Sequence, residues 1–249
     1  MAELGPGGDR TGPALVVLVH GASHGPWCWE PVVLGLDAVG VESRAVELPL
    51  VTLSGDAEVV RTAVREGKES GKAVVLVGHS YGGLVISAAG HEAVELVYVA
   101  AVLPDAGESG MAASAIAGTP ELARAMEFSA DGTSVTLNEH AAAAFYGRCS
   151  EDVARSAIGR LRPQGLGTMA EEVTDPAWQT VSASYVVCLH DCAVNLAYQQ
   201  ASAERLGRFV SLDADHSPFF SATDALGERL ARLANAAGTR VAGAFDSSS

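Results

Sequence analysis

A serine flanked by glycines is the residue in this sequence best suited to nucleophilic chemistry. Ser80 lies in the stretch Gly78–Gly82, which reads GHSYG, between an apolar run and a helical pattern. In that context a G-x-S-x-G motif predicts a sharp strand-to-helix turn that exposes the serine hydroxyl at the edge of a sheet. The glycines permit the turn, and the amide that follows the serine can stabilise a developing oxyanion. We therefore predict Ser80 as the nucleophile and the Tyr81 N–H as an oxyanion donor.

A nucleophilic serine needs a base, and the chain contains seven histidines. His216, in FVSLDADHSPFF, follows the last predicted strand and precedes the last predicted helix. In a doubly wound sheet such loops open at the carboxyl edge of the strands, where ligands bind. We therefore predict His216 as the general base. His79, beside the serine, is interpreted as a packing group, and both His91 and His140 as structural or solvated.

The acid that orients this histidine should lie between the serine and the histidine in the sequence, because the motif's fold uses that order. Asp191, in YVVCLHDCAV, comes just after a predicted strand at the same edge. Asp105, in VAAVLPDAG, follows the preceding strand and is an alternative. We predict Asp191 as the acid and leave Asp105 open. Asp213 and Asp215 are so close to the histidine in sequence that we interpret them as turn formers.

The second oxyanion donor should come from the loop after the first strand, which reads HGASHGPWCW. His20 and Gly21 end that strand, so the Ala22 N–H is the predicted partner of the Tyr81 N–H. His24 and the two tryptophans of the same stretch are expected near the mouth of the site. Core packing explains the tryptophans at least as well as substrate contact does.

Apolar runs that alternate with helical patterns indicate the elements that hold these residues. Four continuous runs suit strands buried on both faces of a parallel sheet. They are Ala14–His20, Ala73–Gly78, Val94–Ala101 and Ser184–Leu189, with weaker candidates at Val41–Glu47 and Arg208–Leu212. Helical patterns fill the intervals at Trp27–Val39, Asp56–Glu69, Tyr81–His91, Leu196–Leu206 and Ala222–Ala237. This order predicts an α/β fold with a doubly wound, mostly parallel sheet and right-handed crossovers.

One interval breaks the alternation of strands and helices. From Pro104 to about Trp178 the sequence has no strong strand, only alanine-rich helical segments such as EHAAAAFYG and EDVARSAIGRL. We predict that residues 1–249 form a single domain, with a small helical cap inserted at about 104–178. The cap would shape specificity.

Composition excludes several classes of function. The 249 residues are 48% hydrophobic and 18% charged, which is typical of a globular protein with an ample core. A formal charge of −14 disfavours nucleic acid and anionic membranes as partners. The first twelve residues, MAELGPGGDRTG, contain no apolar segment, so we expect no secretory signal and a cytoplasmic location.

Neither a metal site nor a cofactor is expected. Four cysteines in a chain of this length need not form disulfides, so we expect free thiols. Cys188, His190 and Cys192 match no common zinc spacing and lack a fourth ligand. The predicted chemistry needs only side chains and backbone amides, with a small-molecule ester as the partner; assembly as a homodimer is left open.

Taken together, these motifs resemble the α/β-hydrolase superfamily, and within it the small esterase and hydroxynitrile-lyase group that includes plant methylesterases and bacterial relatives. The resemblance covers nearly the whole chain, through LVHGASHGPWCWEPV, VELPL, LVGHSYGGLVI, YVAAVLPDAGES, YVVCLHDCAVNLAYQQ and LDADHSPFF. It implies the α/β-hydrolase fold, the acid at Asp191, and oxyanion donors at Ala22 and Tyr81. Cyanogenic lyases of the group place a threonine and a lysine where this chain has Gly21 and Ser217, so the pattern resembles the esterases.

These residues predict a serine hydrolase that cleaves a small to medium carboxylic ester through an acyl-enzyme, with Ser80, His216 and Asp191 as the triad. The alternative is a lyase or isomerase that uses the same triad as acid–base machinery on a substrate other than an ester. A ligand-binding relative without catalysis is disfavoured because all three triad positions are occupied by suitable residues. The sequence does not specify the acyl or alcohol group.

Overall fold

A computed structural model describes residues 13–246 of the chain. Residues 1–12, whose composition predicts no secretory signal, lie outside the described residues. The strands are β1 (Ala14–Val19), β2 (Glu42–Val46), β3 (Ala73–His79), β4 (Glu95–Val99), β5 (Glu108–Ser109), β6 (Met126–Phe128), β7 (Ser134–Leu137), β8 (Gln164–Gly165), β9 (Glu172–Val173), β10 (Ala183–Cys188) and β11 (Phe209–Leu212).

Within residues 13–246, eleven α-helices lie between and after these strands. They are α1 (Glu30–Ala38), α2 (Leu53–Glu69), α3 (Gly82–Ala89), α4 (Gly110–Ala117), α5 (Pro120–Ala125), α6 (Ala141–Phe145), α7 (Glu151–Ile158), α8 (Gly167–Ala170), α9 (Leu196–Leu206), α10 (Pro218–Ser221) and α11 (Thr223–Asp246). Short 3-10 turns occupy Pro26–Trp29, Gly90–Glu92 and Ala177–Gln179. Within residues 13–246, no helix is long and apolar enough to cross a membrane.

Six strands form one parallel sheet in the order β11-β10-β4-β3-β1-β2. In its register, Val19 near the end of β1 lies opposite Gly78 near the end of β3. Because all six strands run the same way, the segments that carry Ser80, Asp191 and His216 all leave the sheet at its carboxyl edge. The predicted α/β class with a mostly parallel, helix-flanked sheet is confirmed.

Apolar cores lie on both faces of this sheet. Leu15 of β1 joins the core that α2, α3 and α9 cover, whereas its neighbour Val16 joins the core that α1 and α11 cover. Successive side chains of a strand point to opposite faces, so a strand buried on both faces is apolar at every position. This is why β1 and β3 appear in the sequence as unbroken apolar runs.

The segment between β4 and β10 differs in part from its predicted structure. We call residues 104–178 the cap. It contains α4–α8, as the alanine-rich segments predict, but also two small antiparallel sheets, one pairing β5 with β9 and one ordered β6-β7-β8. These strands have only two to four residues, too few for a period of two to be recognised. The division into one domain with a cap insertion stays a prediction.

Candidate active site

Ser80 lies at the tip of a strained turn between β3 and α3. Its φ is +53°, in the left-handed region that residues with a side chain rarely occupy. The turn is fixed by the end of β4 and the chain that follows it, because the Ser80 N–H donates to Val99 O at 3.1 Å and the Val102 N–H donates to Ser80 O at 3.1 Å. A Cβ on Gly78 would lie 2.5 Å from the oxygen of Gly82, so the motif's first glycine is required by close backbone approach.

Tyr81 holds this turn from its other side. Its hydroxyl donates to Asp56 Oδ2 at 2.6 Å, and Asp56 Oδ1 accepts from the Leu50 N–H at 2.9 Å. Asp56 is fully buried, and burial raises the pKa of its carboxyl. The Tyr81 N–H itself donates no hydrogen bond within the described residues, so it remains available to a ligand. Sequence reasoning missed Asp56, because an aspartate in the first turn of a helix usually indicates only a favourable helix start.

His216 and Asp191 form a buried pair at the sheet edge. Nδ1 of His216 lies 2.8 Å from Asp191 Oδ2, and both side chains are 0% exposed. A carboxylate can only accept, so the proton of a neutral His216 lies on Nδ1 and Nε2 carries the lone pair. Nε2 is buried and has no hydrogen-bond partner among the described residues, Ser80 included. In free enzymes such catalytic contacts often tighten only when substrate binds.

Gln199, which sequence reasoning did not single out, supports the aspartate. The Gln199 side chain is fully buried on α9 and donates through Nε2 to Asp191 Oδ2 at 2.8 Å. Its own Oε1 accepts from the Cys188 N–H at 2.9 Å, which ties the amide to the end of β10. Asp191 Oδ1 accepts from the N–H groups of Ala193 and Val194 at 2.7 and 2.8 Å. A glutamine on a helix gives no signal of burial in the sequence, since most are exposed.

The other aspartates considered from the sequence have different partners. Asp105 is exposed and forms an ion pair with Arg205. Asp213 is also exposed and pairs with His190 and Arg148.

Asp215 shapes the loop that carries His216. Its Oδ1 accepts from the Ser217 N–H at 2.9 Å and from Ser221 Oγ at 2.7 Å, as a turn former would. Its Oδ2 accepts from the Arg148 N–H at 2.8 Å, so Asp215 also connects this loop to the cap.

His79 is buried beneath the site. Its Nε2 donates to the carbonyl oxygen of His216 at 2.7 Å, and the two imidazole rings lie 4.7 Å apart. Burial lowers the pKa of His79 well below its ordinary value, so the ring stays neutral. Phe219 packs edge-on against it at 5.0 Å, in agreement with the packing interpretation, while the hydrogen bond to His216 was not predicted.

The loop after β1 brings Ala22 to the same site. We call residues 20–25 the oxyanion loop, because they carry Ala22, the predicted oxyanion donor. Ser23 has a φ of +60°, and a Cβ on Gly21 would lie 2.8 Å from Nδ1 of His79 and 2.9 Å from Cβ of Ser80. The Ala22 N–H donates no hydrogen bond within the described residues. Gly21 therefore allows the loop that carries Ala22 to approach the serine.

A cavity of about 120 Å³ joins these groups. Ser80, His216, Ala22 and Tyr81 line it, and Asp191 lies behind the imidazole. Of the remaining described lining, most residues are apolar, among them Phe145, and there is no lysine, arginine, aspartate or glutamate. In size the cavity is comparable to one of ~150 Å³ that holds benzene.

The cysteines form no disulfide, and the thiol of one of them, Cys149, lies 3.5 Å from Asp215 Oδ2. Cys28, Cys149, Cys188 and Cys192 are all free thiols. Within the part of the chain that the structure describes, no three histidine, cysteine, aspartate or glutamate side chains are grouped to hold a metal ion.

Comparison with known proteins agrees with this architecture. A model described as "Alpha/beta hydrolase family" matches residues 16–229. The chain is 31% identical to the Alpha/beta hydrolase nvfD of Aspergillus novofumigatus, over 92% of this chain and 98% of that protein. It is 26% identical to Methylesterase 7 of Arabidopsis thaliana, over 91% and 98% of the two chains. A pyrethroid hydrolase from Sphingobium faniae shares the fold, with a TM-score of 0.78 at 21% identity over 90% of this chain and 98% of that one. Because the family model spans most of its length, the chain belongs to the alpha/beta hydrolase family.

Proposed function

We propose that this protein is a serine hydrolase that cleaves an uncharged carboxylic ester of small to medium size through an acyl-enzyme. One observation carries the proposal. A serine at a strained turn and a histidine paired with a buried aspartate line a single cavity, together with two residues whose amides are unpaired. These are the parts that acyl transfer requires. The names of the relatives, methylesterase and pyrethroid hydrolase, support the same class of reaction.

In the acylation step, Ser80 Oγ attacks the carbonyl carbon of the ester while Nε2 of His216 takes the hydroxyl proton. The carbonyl oxygen becomes an oxyanion, which the N–H groups of Ala22 and Tyr81 stabilise. Collapse of this intermediate breaks the bond between the acyl carbon and the alcohol oxygen. The imidazolium returns its proton to the departing alcohol, and Asp191 stabilises the imidazolium while it exists.

In the deacylation step, water replaces the alcohol. His216 Nε2 takes one proton from the water as its oxygen attacks the acyl carbon, and the same two amides stabilise the second oxyanion. Collapse breaks the bond to Ser80 Oγ, which recovers its proton from the imidazolium. The products are a carboxylic acid and an alcohol, so one ester and one water are consumed per cycle and no cofactor is needed.

The lining of the cavity favours an uncharged substrate. It has no cationic side chain among its described lining residues, so an ionised group would lose its hydration without gaining a partner. The formal charge of −14 adds a general repulsion of anions. The volume of about 120 Å³ suits a group about as large as one aromatic ring beside the reacting carbonyl.

A lyase that releases cyanide from a cyanohydrin is the alternative within the same triad chemistry. Such a reaction gains from a cation near the leaving cyanide and from an added hydroxyl donor. Gly21 provides no hydroxyl, and its surroundings leave no room for one without movement of His79 or Ser80. Ser217, next to the general base, carries no charge. Ester hydrolysis needs neither group, since two backbone amides serve its oxyanion.

Turnover assays on both substrate classes test the proposal. We expect hydrolysis of short p-nitrophenyl esters, and cyanide release from mandelonitrile no faster than the uncatalysed background. Buffer alone and protein inactivated with a fluorophosphonate serve as matched controls for both reactions. Efficient cyanide release without ester turnover would replace the esterase proposal with the lyase.

The setting of the reaction is also part of the proposal. We propose a cytoplasmic protein that acts without nucleic acid, membrane or metal partners, and we leave homodimer formation open. Fractionation of the source cells and light scattering of the purified protein test location and assembly.

A further inference from the structure

The peptide unit that follows Ala22 is held at both of its polar ends by side chains. Its carbonyl, Ala22 O, lies 2.7 Å from Nδ1 of His24. Its amide, the Ser23 N–H, donates to Oε1 of Gln164 at 3.1 Å. Gln164 belongs to the cap and is separated from Ser23 by 141 positions in the sequence. The oxyanion loop is therefore fixed partly by a remote segment of the chain.

The peptide unit that precedes Ala22 is held as well. Gly21 O accepts from Nδ1 of His20 at 2.9 Å, and Nε2 of His20 accepts from the Leu48 N–H at 3.1 Å. Burial lowers the pKa of His20 to about 3, so the ring is neutral and can accept at one nitrogen while it donates at the other. Both peptide units that meet at the Cα of Ala22 are thus anchored, while the Ala22 N–H is left without a partner among the described residues.

The two hydrogen bonds of the His24 ring connect the cap to the oxyanion loop, and the donor and acceptor of each can be assigned. Burial lowers the pKa of His24 to about 4, so the ring is neutral near pH 7. Nδ1 faces a carbonyl, which can only accept, so the proton lies on Nδ1. Nε2 must then accept, and its partner at 2.8 Å is the hydroxyl of Tyr146. The chain runs from the Tyr146 O–H to His24, and from His24 to the carbonyl of Ala22.

Neither Tyr146 nor His24 lines the cavity. Tyr146 follows α6 in the cap, is 2% exposed, and lies 122 positions from His24 in the sequence. The loop that it supports includes Ser23 with its left-handed backbone, a conformation that persists only where the surroundings enforce it. The Tyr146 hydroxyl therefore connects to the site through the His24 ring and the carbonyl of Ala22 that this ring holds.

We infer that Tyr146 is a positioning residue that orients the Ala22 N–H toward the oxyanion by way of His24; the inference rests on the proposed hydrolase function. The oxyanion exists only in the tetrahedral intermediates and the transition states that lead to them. Loss of the Tyr146 hydroxyl therefore lowers kcat and leaves the binding of the ground-state ester almost unchanged.

The test compares Tyr146→Phe with Tyr98→Phe. Tyr98 is a matched control because it is also buried and its hydroxyl pairs with Ser87, outside the loop and the cavity. Removal of an oxyanion donor costs on the order of 10²–10³ in kcat, so a donor that is misplaced but retained should cost about tenfold. We expect that loss in kcat for a short p-nitrophenyl ester in Tyr146→Phe, with KM within about twofold, and no change in Tyr98→Phe.

Inhibitor binding separates positioning from a general loosening of the fold. Trifluoromethyl pentyl ketone adds to the serine and carries an oxyanion, whereas methyl pentyl ketone has almost the same shape and does not add. We expect Tyr146→Phe to weaken binding of the first in parallel with kcat and to leave binding of the second unchanged. Equal weakening of both, or a kcat within twofold of the parent, would overturn the inference.

A double-mutant cycle tests whether the effect passes through His24. In a His24→Gln background, Tyr146→Phe should cause little further loss, because the connection is already broken. Additive losses would contradict the proposed route. If Tyr146→Phe does not fold, His24→Gln alone must still weaken the trifluoromethyl ketone selectively. Labelling of Ser80 by a fluorophosphonate in the parent protein tests the hydrolase function separately, so a labelled parent without a Tyr146 effect refutes only this inference.

Discussion

The acid–base pair and the oxyanion loop are held by different parts of the chain. Apart from its contact with His216, Asp191 receives its hydrogen bonds from the segment that directly follows β10, including Gln199 only eight positions away. The oxyanion loop instead depends on Gln164 and Tyr146, which lie more than a hundred positions away in the cap. The acid–base half, Asp191 and His216, thus takes most of its support from near the sheet edge, although Asp215 also links the His216 loop to the cap. The oxyanion half, which is the oxyanion loop, takes several of its hydrogen bonds directly from side chains of the cap.

Because their support differs, we expect substitutions in the two halves to affect activity in different ways. A substitution in the acid–base half removes either a reacting group or a group that directly orients a reacting group. A substitution in the cap alters the cavity or the direction of an amide while the reacting groups remain. The predictions that follow compare the halves, beginning with the largest effect.

The first prediction concerns the acid–base half. Asp191→Asn keeps the shape of the side chain but can no longer hold His216 in the reactive tautomer or stabilise its charged form, so kcat should fall by about 10³–10⁴. Asp105→Asn breaks only an exposed ion pair with Arg205 and should leave kcat within about twofold. Initial rates with a p-nitrophenyl ester measure both. The reverse ranking would assign the acid to Asp105.

The second prediction concerns the cavity that the cap helps to form. An ester with an ionised carboxylate at the end of its acyl chain should be cleaved about 100-fold less efficiently than a neutral ester of the same length, a difference of ~2.7 kcal/mol in transition-state stabilisation. The matched pair is p-nitrophenyl hemiglutarate and p-nitrophenyl valerate, compared by kcat/KM at pH 7. Equal efficiencies would show that a cation not among the lining residues reaches the substrate.

The third and smallest prediction is a dependence of stability on pH to which two histidines of the oxyanion half contribute, in addition to His79, whose pKa burial also lowers. His20 and His24 have folded-state pKa values lowered by burial to about 3 and about 4. Below pH ~6.5 the unfolded chain binds protons that the folded chain does not, so the free energy of unfolding falls as the pH falls. Each of the two groups should contribute ~1.4 kcal/mol per pH unit between pH ~6 and its folded pKa. Asp56, whose pKa is raised, acts in the opposite direction.

Urea unfolding between pH 8 and pH 5 measures this slope. We expect the free energy of unfolding to be constant above pH ~7 and to decline below it. His24→Gln should make the decline shallower by the contribution of one proton. If that substitution left the slope of the unfolding free energy against pH unchanged, the His24 ring would already be charged, or solvated, in the folded state.

The same contrast explains how much the sequence could predict. Ser80, Asp191 and His216 each follow a strand of a parallel sheet, so local patterns and one topological rule were enough to bring their segments to a common edge. The sheet was predictable because strands buried on both faces are apolar at nearly every position, as in β3, where all seven residues are buried.

The support of the oxyanion loop could not be predicted in this way. Tyr146 and Gln164 lie in a segment of short helices and strands whose packing is not fixed by any periodic pattern. Asp56 and Gln199 are polar residues buried on otherwise ordinary helices, and their partners are known only once the helices are placed against the sheet. Long-range polar contacts of this kind depend on tertiary packing rather than on local spacing.

Trapping of the acyl-enzyme tests the central claim most directly. A slowly deacylating ester, mixed with the protein and quenched in acid, should yield an intact-mass increase equal to one acyl group, and peptide mapping should locate that group on Ser80. The same mixture with Ser80→Ala should show no adduct and no turnover above background, although the variant folds. An adduct on another residue, or rapid ester turnover by Ser80→Ala, would contradict the account.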